Sequence, residues 1–470
     1  MTHPEHLDST VETIRKTPFQ ATSPINALPP EILSIIFFLA YPKNQIPQRA
    51  PFEVLLSHVS KYWRNVAQGT ASLWTTITIR SPHSLGWLPV YLERAGKFTS
   101  FDLTIDVYRW DKLTRKSKRM RQRFAQEVAD NILPVFGRVE KLTILCYQEV
   151  TVDAFQSHIK NVSADRLRVF EVRFDPSRDD GHEGHALFTK GAPNLRYLKT
   201  TFADCLPPPS ALRNLTTMYL NLGPLGNSLT YPAFVDILKA TRSVRYLTIA
   251  HAMPSFITSW PVHLAAPDFT LPNLECLRLL ENGYMAAKFL LSVSAPNLES
   301  LWLHCSLDNF GFFFDAPQMQ PTTTASTNTA QPAKFARLRY FTAFNDIMYS
   351  AVKFATVFPN ITHLHLPFAN FYHSNQLQAA LIFHWPLLRT IVLTLVRETK
   401  WTRLTGALEI ALPARRQDNH PVDTILVDKD YRLKLDTLVP RIDTFVDIVD
   451  LTETNYKEPW WSKDDEAGFF

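Results

Sequence analysis

"APNLESLWLHC", residues 295–305, opens on a Pro-Asn pair and then sets an apolar residue at a start position, at +3 and at +5: Leu298, Leu301 and Leu303. Residues two apart in a strand share a face, so +3 and +5 point the same way and belong to a core. The same words return as "APNLRYL" at 192, "LPNLECL" at 271 and "FPNITHL" at 358. The spacing also recurs as Val139-Leu142-Ile144, Leu167-Phe170-Val172, Leu195-Leu198, Leu215-Met218-Leu220 and Val244-Leu247-Ile249. It continues as Leu274-Leu277-Leu279, Leu338-Phe341, Ile361-Leu364-Leu366 and Leu388-Ile391-Leu393, with a weaker copy at Val422-Ile425-Val427.

Ten starts from Val139 to Leu388 have a mean spacing of about 28 residues, near the upper end of the leucine-rich repeat period. Helical stretches such as "PAFVDILKA" (232–240) and "MAAKFLLSV" (285–293) lie between the strands and would cover their core side. One unit buries too little alone, and stacking completes it. The reading is an α/β solenoid, a horseshoe of about ten to twelve irregular repeats over 76–430. The intervals run from 20 residues (195 to 215) to 40 (298 to 338). The longest holds a polar low-complexity loop at about 316–334. Position +8, which usually carries Asn or Cys, holds Tyr147, Asp175, Ala203, Gly223, Ala252, Asn282 and Ser306. No asparagine ladder is expected there, and the curvature is expected to be irregular.

The chain has 470 residues, 46% hydrophobic and 20% charged, which is globular and more than one compact core fills. A formal charge of +5 does not argue for nucleic acid. Cys146, Cys205, Cys276 and Cys305 form no CxxC pair, so they read as buried thiols rather than a zinc site or disulfide framework. The polar N-terminus lacks an apolar signal core, and no run reaches the roughly 20 apolar residues of a membrane span. A soluble cytoplasmic or nuclear protein is expected.

Residues 1–23 read as a solvated tail and 24–75 as a small helical unit. In "INALPPEILSIIFFLA" (25–40), Pro29 and Pro30 suit a first helical turn and Glu31 complements its dipole. Ile32, Ile36 and Leu39 fall on one side, with Leu33, Phe37 and Ala40 beside them. Such a helix is apolar nearly all round. A second pattern, Phe52, Leu55, Val59, Tyr62 or Trp63, and Val66, steps by three and four toward Gly69.

"LPPEILSIIFFLA" followed by "LLSHVSKYWRNVAQGTASLW" resembles an F-box. The matching residues are Leu28, Pro29, Glu31, Ile32, Leu33, Ile36, Phe37 and Leu39, then Val59, Ser60, Trp63, Arg64, Ala67, Leu73 and Trp74. The whole organisation is similar to the fungal F-box proteins whose remainder is leucine-rich. Tyr62 stands where a Cys is common, and the loop between the helices is long and proline-rich. The resemblance implies a substrate receptor of a Skp–cullin–F-box ubiquitin ligase, serving ubiquitin-dependent degradation. Leu28, Pro29, Glu31, Ile32, Leu33, Ile36, Phe37, Leu39, Val59 and Trp63 would dock on the Skp-type adaptor and, through it, a cullin. Such a receptor needs no catalytic residue and no cofactor. The alternative to docking is that 28–74 only caps the open end of the repeat array, and the apolar helix favours docking over it.

Positions +2, +4 and +6 face away from the core, onto the concave sheet. They supply Val169, Glu171, Arg173, Tyr197, Lys199, Tyr219, Asn221, Tyr246 and Arg278, then Trp302, His304, Tyr340, Phe344, His363 and His365. Tyr, Trp and Arg are the common hot-spot types, and a protein substrate is expected on this face.

The basic strip Arg115, Lys116, Lys118, Arg119, Arg121 and Arg123 offers a nuclear address or phosphate contacts. Phe124, Val128 and Ile132 continue it as a buried stripe, which favours a solvated helix face. "DDGHEGH" (179–185) places Asp179, Asp180, His182 and His185 in a glycine-bearing loop, a weak metal signal. No Walker, GxSxG or GxGxxG motif occurs. Two rivals to the ligase reading stand: a leucine-rich scaffold without ubiquitin machinery, and an enzyme or nucleic-acid binder using the Asp/His loop or the basic strip. Residues 431–470 read as a C-terminal cap and an aromatic, acidic tail.

Overall fold

A computed structural model describes residues 24–42, 51–109, 118–147, 149–173, 186–200, 206–222, 229–251, 260–261, 267–280, 282–305, 310–316, 334–344, 350–367, 374–394, 401–427 and 446–450. The chain divides into two compact units. One runs to Thr75 and takes in Pro89–Thr99; the other is Thr76–Leu88 with everything from Ser100 onward.

The second unit is mixed α/β, built on one open, fully parallel sheet of 14 strands. These are β1 (Thr76–Ile79), β2 (Phe101–Asp106), β3 (Val139–Leu145), β4 (Val169–Arg173), β5 (Tyr197–Thr200), β6 (Thr217–Asn221) and β7 (Tyr246–Ala250). A two-residue strand, β8 (Phe269–Thr270), pairs outside the sheet with β10 (Val293–Ser294). The main sheet goes on through β9 (Cys276–Leu280), β11 (Ser300–Leu303), β12 (Tyr340–Ala343), β13 (His363–Pro367), β14 (Thr390–Thr394), β15 (Thr424–Val427) and β16 (Asp447–Asp450). Strand order follows chain order throughout, leaving β1 and β16 as edges. Each copy of the sequence pattern thus supplies one strand. The sheet also extends beyond the pattern at both ends, through β1, β2 and β16.

Register explains the +3 and +5 leucines. Leu277, Leu301, Phe341, Leu364, Ile391 and Ile425 stand side by side across six strands, all buried. Each fully buried side chain of this size contributes about 1.5–3 kcal/mol over exposure. Helices cover this face. Phe354, in the helix Ala351–Val357, meets Phe341 with ring centroids 5.4 Å apart. Helices Lys118–Ile132 and Glu149–Ile159 close over β2 and β3, leaving only a void of about 20 Å³ lined by residues such as Leu103, Leu142, Val128 and Phe155. The stretch 232–240 is helical as its periodicity predicts, within Tyr231–Ala240, and 285–293 is helical up to Ser292, Val293 opening β10 instead.

An asparagine ladder exists after all, at −1 rather than +8. Asn194, Asn214, Asn273, Asn297 and Asn360 each donate from Nδ2 to the backbone carbonyl at −2 of the preceding copy: Asp165, Pro193, Arg242, Pro272 and Ala336, at 2.6–3.1 Å. This is the physical reason for the recurring Pro-Asn words. The turn carbonyls, exposed except for the half-buried one of Pro272, take their donors from the next unit's amide. Arginines at +1 brace in the other direction. Arg196, Arg339 and Arg389 donate to the −1 carbonyls of the following copies, Asn214, Asn360 and Pro421. Backbone bonds tie the +1 residues into one row, with Arg196 N donating to Arg168 O, Thr216 N to Arg196 O and Arg245 N to Thr216 O.

The first unit holds helices α1 (Pro30–Ala40), α2 (Phe52–Val59), α3 (Lys61–Gly69) and most of α4 (Leu88–Ala95). The three-and-four stepping from Phe52 to Val66 is divided between α2 and α3. Ser60 breaks it, its hydroxyl accepting from Trp63 N as an N-cap.

Candidate functional site

Helix α1 starts at Pro30 with Pro29 extended before it, so the missing N–H costs nothing. One side of α1 packs inward. Leu33 and Phe37 are buried, Phe37 against Trp63 with ring centroids 5.0 Å apart, and Tyr62 donates its hydroxyl to the Leu28 carbonyl. Trp74 forms the centre, its Nε1 donating to Ala67 O and the Arg94 guanidinium lying 4.3 Å over its ring.

The other side of α1 faces solvent although it is apolar. Ile32, Ile35, Ile36, Phe38 and Leu39 are exposed, Leu39 by 77%, and α2 adds Leu55 and Val59. A helix in a soluble unit ordinarily turns such residues inward, and contiguous exposed apolar groups mark interaction surfaces.

Among the residues expected to dock, Pro29, Glu31, Ile32, Ile36, Leu39 and Val59 are exposed, while Leu28 and Trp63 are half-buried. Leu33 and Phe37 are corrections. They lie in the unit's core, because α1 uses them to pack on α3, so they hold the surface in place rather than form it. Leu55, from the second apolar stripe, belongs to the exposed set together with Ile35 and Phe38, which the sequence did not single out. Their signal was the absence of any polar face on α1.

Behind this surface Glu53 is 1% exposed and accepts from the Tyr91 hydroxyl, which ties α2 to α4. Burial pushes the Glu53 carboxyl above its ordinary value, against the lowering effect of the Tyr91 hydrogen bond, and the Tyr91 phenol is pushed up as well.

On the sheet, positions +2, +4 and +6 share the face opposite the leucine rows, in continuous register. They are far more enclosed than an open face implies. Lys199, Arg278, Trp302 and His365 are buried; Arg173, Tyr197, Tyr219, Tyr246, Tyr340 and His363 are half-buried; His304 is exposed. Neighbouring strands account for this, since in-register side chains stack on one another. The Arg278 guanidinium lies 3.7 Å over the Trp302 ring. Trp302 stacks on Phe344, His304 stacks on Phe344, and Tyr340 stacks on His363. Lys199 lies between Glu171 and the Tyr219 ring, and Arg173 also engages Glu171. Burial holds the His304 and His363 imidazoles below their usual range, with His251 adding to the effect at His304. From β6 to β14 the outward positions carry no carboxylate.

In the basic strip, Lys118, Arg119 and Arg123 are exposed, Arg121 is buried, and Phe124, Val128 and Ile132 pack inward. Arg115, Lys116, the Asp/His stretch 179–185 and Cys205 lie outside the described residues. Cys146, Cys276 and Cys305 are buried free thiols. Among the described residues no helix is long and apolar enough to cross a membrane, and no group of three His, Cys, Asp or Glu is placed to hold a metal ion.

Compared with protein-family models and with curated proteins, the chain matches none.

Proposed function

We propose that the chain is the substrate-recognition subunit of a Skp–cullin–F-box type ubiquitin ligase. The observation that carries this is the exposed apolar side of α1, set on a unit whose core residues Leu33, Phe37 and Trp74 are those of the F-box-like motif. Leu28, Pro29, Glu31, Ile32, Ile36, Leu39, Val59 and Trp63 meet the Skp-type adaptor, mostly by apolar contact. The sheet of the second unit is read as an irregular leucine-rich solenoid. Its +2, +4 and +6 face, with the Arg278, Trp302, His304, Phe344 cluster at its centre, receives the protein substrate. The chain needs no chemistry of its own. It raises the effective concentration of a substrate near an activated ubiquitin carried by another enzyme.

Co-expression of the full chain with a Skp-type adaptor tests this reading. A stoichiometric complex that survives purification supports it, provided that Ile36→Asp abolishes the complex while leaving the fold intact. Failure of the wild-type chain to bind any such adaptor favours the alternative, a leucine-rich recognition scaffold in which α1 meets a different protein.

A further inference from the structure

The turns that lead into strands β4 to β7 form an edge of the sheet whose composition is unlike the rest of it. Between −2 and +1 of these four copies lie Arg166, Arg168, Arg196, Arg213, Arg242 and Arg245, all six exposed. One carboxylate, Asp165, shares these positions, and no lysine does. Adjacent strands are about 4.8 Å apart, so the six guanidinium groups are spread over about 15 Å. The +1 members are held in one row by backbone hydrogen bonds from each copy to the next.

Part of this charge serves the fold. Arg196 braces the Asn214 carbonyl, and the two ends of the run are closed by ion pairs, Arg168 to Glu140 and Arg245 to Glu275. Those pairs are open to water, with the two arginine side chains 64% and 50% exposed, so each is weak and exchangeable. Guanidinium crowding extends to the preceding copy, where Arg138 is held below its ordinary value by partial burial and then by the charge of Arg166. Bracing a turn carbonyl requires one donor from a fork of five. It does not account for arginine at −2 in two successive copies, Arg213 and Arg242.

We infer that this edge binds an acidic segment of a protein partner, its carboxylates engaging the arginine forks of β4 to β7. Arginine, planar and bidentate, is the residue suited to carboxylate recognition. The turn positions carry no aromatic side chain on which a nucleic-acid base would stack, and the nearest rings, Tyr197 and Tyr246, are half-buried on the sheet face. The surface shares no residue with the adaptor-docking helix or with the central sheet cluster, so the inference stands or falls independently of the ligase reading.

The test is fluorescence anisotropy of the full chain with a labelled oligoglutamate peptide. The wild type binds, more weakly as salt rises. The triple variant Arg166→Glu, Arg213→Glu, Arg242→Glu loses at least about tenfold in affinity. The corresponding Arg→Gln triple, which adds no new carboxylates, loses less, and both keep the wild-type melting profile. A control with the same net charge change on another surface, Lys118→Glu, Arg119→Glu, Arg123→Glu, stays within about twofold of wild type. Absence of wild-type binding overturns the inference. So does equal loss in the control, which would mean attraction by net charge alone. Tighter binding of an oligouridylate of the same charge also overturns it, in favour of nucleic acid.

Discussion

The side-chain amide of Asn297 donates to the backbone carbonyl of Pro272 across 2.7 Å, while its own side-chain oxygen accepts from Arg337. One asparagine thereby joins three consecutive copies of the sequence pattern. Asn297→Ala removes both bonds and leaves the Pro272 carbonyl without that donor, and is expected to lower stability by about 1–2 kcal/mol. Chemical denaturation checks it; a loss no larger than that of an exposed Asn→Ala control would mean that the ladder is decoration.

Glu53 is buried with the Tyr91 hydroxyl answering one oxygen, while Oε2 is enclosed without a hydrogen-bond partner among the described residues. Its folded-state pKa is raised above 4.5, chiefly by desolvation. Its contribution to stability is therefore fully present below pH 4.5 and is lost as pH rises through the folded value. Glu53→Gln keeps an acceptor for Tyr91 without the charge. It is expected to raise the melting temperature at neutral pH and to flatten the fall in stability above pH 4.5. Melting curves recorded across that range decide it.

Lys334 donates to the Leu291 carbonyl, and burial holds its ammonium down to about 7 against 10.5 for a free lysine. Between those values the unfolded chain binds more protons than the native one, so this group makes stability rise with pH over that window. Lys334→Met is expected to reduce the rise between pH 7 and pH 9, measured by denaturant titration at each pH. An unchanged slope would mean that Lys334 is not the group responsible.

Trp302 and Tyr246 both occupy outward sheet positions. Packing separates them. Trp302 lies in register with Arg278, under its guanidinium and parallel to Phe344, so Trp302→Ala is expected to cost about 3 kcal/mol. Tyr246 is half-buried, and Tyr246→Ala is expected to cost about 1 kcal/mol. Substrate capture by the Tyr246 variant therefore reports on binding rather than on folding. Equal losses of stability in the two variants would contradict this division.

The strands were legible because a period-two core pattern recurs in each copy, four of them with a Pro-Asn lead, and Leu298, Leu301 and Leu303 obey it without exception. Strands β1, β2 and β16 were harder to see. Their alternation, as in Ile77 and Ile79 or Leu103 and Ile105, lacks the Pro-Asn lead that marks four of the other copies. The asparagine ladder does not follow from periodicity, because its amides sit at −1, against the previous turn, and not at +8. Enclosure of Arg278, Trp302 and His365 depends on which side chain the next strand brings alongside, and periodicity within one copy does not contain that. On α1 the sequence marked an apolar helix, but only packing divides Leu33 and Phe37, which hold the unit together, from Ile32, Ile36 and Leu39, which face outward.

The central claim is that this outward side of α1 is an adaptor-docking surface, and calorimetric titration of the full chain with a purified Skp-type adaptor tests it most directly. The account predicts one-to-one binding by the wild type, and loss of that binding in Leu39→Asp with an unchanged melting temperature, because Leu39 is 77% exposed. Binding undiminished by Leu39→Asp and by Ile36→Asp, or no binding by the wild type, would contradict it.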